Sequence, residues 1–495
     1  MQCSLILLLA SDPNSVRAAE DKSPADLAEH QNWTSLKQQL STGAAGLNQP
    51  QADGMTTLHW AVHHENVEIV QALLDAGSEA DVPTQYHITP LRIACLTGHT
   101  EIARLLLQAG ADPNHTLPGG ETILMTAART GRSEVVDALL QRGADVNASD
   151  DQQQTAVMSA AAEGHAKVVQ HLIDAGADFQ KTLPSGFSAL TFAVREGKID
   201  VVDLLLTAGA DLQAPMEPKR GGGRSVRSGT SPQILAIENG HFELAAHLIR
   251  NGADPNDQRS GYTPLHVLTW VRKPNRGDGE DGDPAPLGSG RMTSLQLARF
   301  LVESGADVNV RLTRGNGGPG RLNLKGATPF LMAADTADVP YMKLLLELGA
   351  DPTLRNIDEA TPLMAAAGLG TIAPGEEAGT EDECLEAMQF LLDLGADINA
   401  VDNNGETVMH GAAYKGSETL VRFVASHGAK VEIWNRHNRY GWTPLLIARG
   451  YRPGNFRPLA PVIDALREIL LAEGIDPPMN DKPSVPQKDQ YSKQK

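Results

Sequence analysis

Residues 120–152 read GETILMTAARTGRSEVVDALLQRGADVNASDDQ, and residues 153–185 read QQTAVMSAAAEGHAKVVQHLIDAGADFQKTLPS. Laid one over the other, the two stretches share a Thr before an apolar run, a mid-unit Gly, a Val- and Leu-bearing segment and a Gly-Ala-Asp. Working outward, five segments align on Gly54-Met55-Thr56-Thr57-Leu58, His87-Ile88-Thr89-Pro90-Leu91, Gly120-Glu121-Thr122-Ile123-Leu124, Gln153-Gln154-Thr155-Ala156-Val157 and Gly186-Phe187-Ser188-Ala189-Leu190, with starts 33 residues apart. Gly77, Gly110, Gly143, Gly176 and Gly209 keep the same step of 33. Two landmarks with one period identify a tandem repeat in which each unit is one supersecondary element.

Each unit reads as helix, tight turn, helix, loop. Thr89 is placed to cap the first helix through its hydroxyl, and Pro90 occupies the first helical position, where a missing N–H costs nothing. Small residues such as Ala94-Cys95 and Ala127-Ala128 let neighbouring layers approach closely. Gly98, Gly131, Gly164, Gly197 and Gly240 end the first helix, where a left-handed residue is needed. The second helix spaces its apolar residues on one face, as in Ile102, Leu105 and Leu106 or Val201, Val202, Leu204 and Leu205. The following Ala-Asp-x-Asn reads as turn chemistry. A single hairpin cannot bury both of its apolar sides, so stability must come from stacking on two neighbours.

These residues resemble the ankyrin repeat, whose pattern includes Gly-x-Thr-Pro-Leu-His, then Gly-His, then Leu-Leu-x-x-Gly-Ala-Asp-x-Asn. The matches are Thr263-Pro264-Leu265-His266, Gly98-His99, Gly240-His241 and Gly143-Ala144-Asp145-Val146-Asn147, and the pattern runs over residues 26 to 476. The resemblance implies an all-α ankyrin-repeat solenoid with β-turn fingers. The helix-closing glycines 43, 77, 110, 143, 176, 209, 252, 305, 349, 395, 428 and 474 predict about twelve layers including caps. The expected organisation is a possible signal peptide and linker at 1–25, an N-terminal capping repeat at 26–52 and regular repeats at 53–213. Repeats with insertions follow at 214–449, then C-terminal capping helices at 450–476 and a loose tail at 477–495. Insertions 214–230 and 311–326 fall in finger loops; 272–291, 368–383 and 450–460 fall between the two helices of a repeat, at the opposite side. Rich in Gly, Pro and charge, all five are expected to lack packed structure.

Composition narrows the function. Hydrophobic residues make up 41% of the chain and aromatics 4%, which suits a core of Leu, Val, Ile and Ala in closely stacked helices. A formal charge of −19 argues against general affinity for nucleic acid or anionic membrane and favours a basic partner. Cys3, Cys95 and Cys384 form no disulfide framework or paired metal-ligand spacing. Cys95 reads as a compact buried residue, and about seven layers, on the order of 70 Å, separate it from Cys384. Residues 4–10, SLILLLA, followed by Val16-Arg17-Ala18 before Ala19, suggest export, although no Lys or Arg precedes the run; a cytoplasmic chain is the alternative. No run of eighteen apolar residues occurs, so no membrane span is expected, nor is any cofactor, and the chain is read as a monomer.

In the family, partners lie along the finger tips and the inner face of the first helices. That register brings Trp60, His63, His64, Arg129, Phe192, Arg195, Glu196, Glu238, Trp270, Asp335 and Tyr414 into the groove. Aromatic and Arg side chains are the usual interface anchors; the bland alternative is an ordinary solvated face. Two insertions form basic fingers on an acidic chain. One carries Lys219, Arg220, Arg224 and Arg227 against the single acid Glu217; the other carries Arg311, Arg314, Arg321 and Lys325 against none. They suit an acidic segment or a phosphate group, or merely keep long loops hydrated. His59, His63, His64 and Glu65 share a helix face as metal ligands would, but the resemblance makes His59 a hydrogen-bonding residue of the repeat. No Gly-x-Ser-x-Gly, P-loop, His-Glu-x-x-His or Cys-x-x-Cys occurs. The expected function is a non-catalytic protein-interaction module acting as scaffold, inhibitor or protective partner, or as an effector delivered into another cell. The alternative is an enzyme or metal protein with a site built from the later insertions.

Overall fold

In a computed structural model the chain is described at residues 22–43, 45–219, 226–275, 284–453, 457–477 and 482–484. The leader reading, Cys3, Arg220 and Arg224 lie outside these residues. The chain divides into two compact units, Met1–Asp211 with Pro218–Arg220, and Leu212–Glu217 with Gly221–Lys495. Among the described residues there are helices, turns and a few isolated bridges but no β-strand, so the fold is the all-α solenoid.

The first unit stacks six hairpins: α1 (Pro24–Glu29) with α2 (Trp33–Ser41), α3 (Thr57–His63) with α4 (Val67–Asp75), and α5 (Pro90–Thr97) with α6 (Thr100–Gln108). There follow α7 (Ile123–Thr130) with α8 (Ser133–Gln141), α9 (Ala156–Glu163) with α10 (Ala166–Asp174), and α11 (Ala189–Arg195) with α12 (Ile199–Thr207). In the second unit α13 (Pro232–Glu238) pairs with α14 (Phe242–Arg250), α15 (Pro264–Arg272) with α16 (Ser294–Glu303), and α17 (Pro329–Asp335) with α18 (Val339–Glu347). Next come α19 (Pro362–Ala366) with α20 (Glu381–Asp393), then α21 (Val408–Lys415) with α22 (Glu418–Ser426). The short α23 (Val431–Trp434) precedes the last pair, α24 (Pro444–Ala448) with α25 (Ala460–Ala472). Within each unit, first helices pack on first helices and second on second.

Local chemistry explains the repetition. The Thr89 hydroxyl accepts the Arg92 amide at 3.3 Å and Thr328 accepts that of Leu331 at 3.2 Å, each such cap contributing about 1 kcal/mol. The twelve helix-closing glycines all have positive φ, and a Cβ on any of them would meet nothing within 4 Å. They are there for their left-handed backbone, not for close packing. The second helices bury one stripe, such as Ile102, Ala103, Leu106 and Leu107 of α6, and the first helices are buried on nearly every side. Cys95 and Cys384 are buried and free, and burial pushes the Cys95 thiol up to about 12.

Two expectations about the insertions need correcting. Three of them, 214–230, 311–326 and 368–383, carry packed structure: Met216, Leu312 and Leu369 are buried, Leu312 donates its amide to the Ala327 carbonyl at 3.0 Å, and Met216 bridges Thr230. Nor do they stay at opposite sides, because a methyl group on Gly370 would lie 2.3 Å from the Leu322 nitrogen. The finger insertion therefore reaches the loop after α19. Its spaced leucines drive this: Leu322 and Leu324 pack against the buried cluster of Leu312, Ala327, Leu331, Met332 and Ala365.

Candidate partner-binding face

In the first unit the first-helix face opens with an aromatic group. Half-buried Trp60 stacks on His64 at 5.9 Å between centroids, meets His63 edge-on at 5.7 Å and donates its indole N–H to Gln51 Oε1 at 2.6 Å. Trp33 of the preceding hairpin meets His64 edge-on, so this group spans two layers. His63 is exposed. His59 is buried and committed elsewhere: Nδ1 lies 2.8 Å from the Thr56 hydroxyl and Nε2 3.1 Å from the Ile88 carbonyl of the next layer. Burial holds its pKa below the usual imidazole value. Arg129 is exposed and pairs with Glu121. Arg195 lies 5.1 Å from the centroids of both Phe187 and Phe192 and pairs with exposed Glu196 at 2.8 Å. Phe192 itself is buried, a correction to the groove list; it is the platform for Arg195, not a contact in its own right.

In the second unit Arg227 lies over Trp270 at 4.9 Å and Tyr262 at 5.3 Å, and pairs with Glu238. Burial raises the Glu238 pKa and Arg227 opposes the rise. Beside this group lies a cavity of about 720 Å³, whose lining includes Tyr262, Arg314, Arg321, Lys325, Asp335 and Glu377. Burial and the neighbouring Glu377 push the Asp335 carboxyl up to about 7, with Lys415 opposing. Tyr414 is not on the face at all. Its ring is fully buried, its hydroxyl donates to Glu406 at 2.8 Å, and the Arg452 guanidinium lies 5.4 Å from the ring. The register would have exposed it, but the 311–326 insertion covers it: a methyl group on Gly320 would sit 3.1 Å from its ring.

The basic fingers are divided by their partners. Lys219 is exposed, Arg227 is engaged with the aromatic pair and Glu238, and Arg311 donates to the Arg355 carbonyl at 2.9 Å. Arg314, Arg321 and Lys325 are exposed, and among the described residues none has an ion-pair partner. Among the described residues, no three His, Cys, Asp or Glu side chains are grouped as metal ligands, and no helix is long and apolar enough to cross a membrane.

A family model for ankyrin repeats, three copies long, matches residues 17–117, 58–150, 124–216 and 378–480. The chain belongs to the ankyrin-repeat family. Curated relatives include human ankyrin repeat and SOCS box protein 16, 31% identical over 44% of this chain and 46% of that protein. Mouse B-cell lymphoma 3 protein homolog is 30% identical over 48% and 42%. Palmitoyltransferase AKR1 of Lachancea kluyveri is 33% identical over 43% of this chain and 23% of its own length. The chain thus spans less than half of each. The stretch between residues 216 and 378, which holds two of the larger insertions, falls outside the family matches.

The ankyrin layers also carry a device beyond the turn chemistry of Ala-Asp-x-Asn. The Asn147 side chain donates to the Gly176 carbonyl at 3.0 Å and accepts the Asp178 amide at 2.8 Å, stitching one layer to the next. Asn114, Asn256, Asn309 and Asn399 do the same. The recurrence of Asn after Ala-Asp was visible; its partner 29 residues on is the repeat length less four, which the spacing could have supplied.

Proposed function

We propose that this chain is a non-catalytic scaffold that holds a partner protein along its first-helix faces and fingers. What carries the reading is the succession of Trp60 with His63, Arg129, Arg195 on its two Phe rings, and Trp270 with Tyr262 and Arg227. These are partly exposed, rigidly propped aromatic and guanidinium groups, the side chains that anchor interfaces at low ordering cost. That relatives are ankyrin-repeat proteins supports the same reading.

The test is position-specific photo-crosslinking. A crosslinking residue is placed at His63, Arg129 or Trp270, with Gln170 and Arg299 of the second helices as controls, and folding is checked by circular dichroism. Adducts to one defined protein from the first-helix positions alone are expected. Equal adducts from Gln170 and Arg299, or none from any position, refute the proposal. A rival reading, a catalytic or metal site built from the insertions, has Asp335 and Glu377 in one cavity in its favour. A hydrolase screen with metal analysis tests it, and it requires any activity found to vanish in Asp335→Asn.

A further inference from the structure

The cavity of the second unit is built from segments that sequence patterning assigned to loose loops. Its basic wall is fixed at the backbone level. Lys325 donates its amide to Asn323 Oδ1 at 3.1 Å; Asn323 Nδ2 donates to Asp358 at 3.0 Å; Asn356 Nδ2 donates to the Asn323 carbonyl at 2.7 Å; and Ile357 donates to the Lys325 carbonyl at 2.9 Å. Leu322 and Leu324 anchor the same segment against the buried cluster that includes Leu331, Met332 and Ala365. From this held backbone Arg314, Arg321 and Lys325 converge on one cavity, with no acid in residues 311–326 to neutralise them. On a chain of charge −19, these three clustered cations have no ion-pair partner among the described residues and set up a local positive field.

The facing wall is of opposite character. Glu377 is occupied in closing its own loop, accepting the amides of Ile372 at 2.7 Å and Ala373 at 3.0 Å. Asp335 lines the cavity and has no hydrogen-bond partner among the described residues. A ligand that satisfies both walls carries acidic groups towards the cations and N–H donors towards Asp335. An extended peptide does both: alternate side chains project about 6–7 Å apart on one edge and backbone amides remain free to donate. A compact polyphosphate offers charge without donors and would face Asp335 and Glu377 at close quarters. The volume, about 720 Å³, is that of a site for a drug-sized ligand or a few residues of peptide.

We propose that this cavity seats an acidic peptide segment of the partner protein, its carboxylates held by Arg314, Arg321 and Lys325 and its backbone turned towards Asp335. This rests on the scaffold reading and names the chemistry of what the second unit takes. Because the segment is prefixed, little ordering is required on binding, and charge-assisted contacts supply selectivity for Asp- and Glu-rich sequence.

The test uses the full chain and fluorescein-labelled hexaglutamate, followed by fluorescence anisotropy at 50 mM salt. Saturable binding is expected, weakened at least tenfold in the variant carrying Arg314→Ser, Arg321→Ser and Lys325→Ser, and weakened again at 300 mM salt. A charge-matched variant carrying Arg104→Ser, Arg132→Ser and Lys167→Ser, all exposed in the first unit, should bind as the parent does. Arg321→Glu provides a second, single-site readout. Absence of hexaglutamate binding at 1 mM, equal loss in the control variant, or binding of tripolyphosphate in its stead overturns the proposal. Crosslinking from His63 and Arg129 in the first unit is independent of this result, so failure here is separable from failure of the scaffold reading.

Discussion

Replacing Arg272 with methionine tests how the second unit tolerates its insertions, because this residue ties the end of α15 to the start of α18. Its Nε donates to Asp338 Oδ2 at 2.7 Å, Nη2 to Oδ1 at 2.9 Å and Nη1 to Ser294 Oγ at 2.6 Å, and its guanidinium lies 5.5 Å from the Tyr341 ring. The Arg272 side chain is 14% exposed and that of Asp338 0%, so the bond is shielded from water and salt. Asp338 also caps α18 by accepting the Tyr341 amide at 3.2 Å. Removing the guanidinium leaves a buried carboxylate with that amide as its remaining partner here, a change that costs about 3–5 kcal/mol. An exposed pair such as Lys37–Glu68, 46% and 75% exposed, would lose at most about 1 kcal/mol. Adding Asp338→Asn removes the stranded charge and retains the cap, so the double variant should recover most of the loss, leaving about 1–2 kcal/mol for the missing hydrogen bonds. Urea unfolding read by circular dichroism gives the magnitudes, and hydrogen exchange over α15–α18 shows whether the loss is local, as expected where layers couple only to neighbours. A single variant within about 1 kcal/mol of the parent, or a double variant no better than the single, refutes the reasoning.

Other outcomes follow from the same physics. Burial, then the nearby Asp402, push the Glu406 carboxyl up to about 8, so the folded chain keeps a proton that the unfolded chain releases near its ordinary value of 4.5. The unfolded state binds fewer protons at this site in that window, so the Glu406 contribution to stability falls as pH rises from about 4.5 to 8, against the opposite trend of buried His266 and His410; Glu406→Gln should remove this decline, worth about a few kcal/mol, in urea titrations across pH. A decline of the same size in the variant would sink the account. At Asp335, near Glu377, Lys415 and the cavity cations, protonation below about 7 removes a negative charge that opposes the ligand's carboxylates while leaving a carbonyl oxygen to accept its backbone N–H. Hexaglutamate should therefore bind more tightly at pH 6 than at pH 8, and Asp335→Asn should abolish that difference. Asn147→Ala removes both stitches between its layer and the next, at a cost of about 1–2 kcal/mol in a denaturant titration. A cost below about 0.3 kcal/mol would make the Asn a turn residue alone.

The repeat and its anatomy were legible because they are local. Thr caps, Pro at the helix start, the positive-φ glycines and the buried faces all follow from a residue and its near neighbours, and a period of 33 multiplied that evidence. The same spacing predicted Trp60, His63, Arg129 and Arg195 for the first-helix face of the first unit and Trp270 for that of the second. What it could not give was any contact that depends on where an insertion goes once the stack has formed. Leu322 reaching Gly370, Gly320 closing over Tyr414 and Asp335 enclosed with three cations join residues from separate layers, and no periodic rule relates them. An insertion is chosen by the apolar surface the stack leaves for it. Sequence thus decided the hairpins and their order, while tertiary structure decided which stretch of the first-helix faces was covered by the chain's own loops and which was left open, because that choice is made by shape and burial between distant segments.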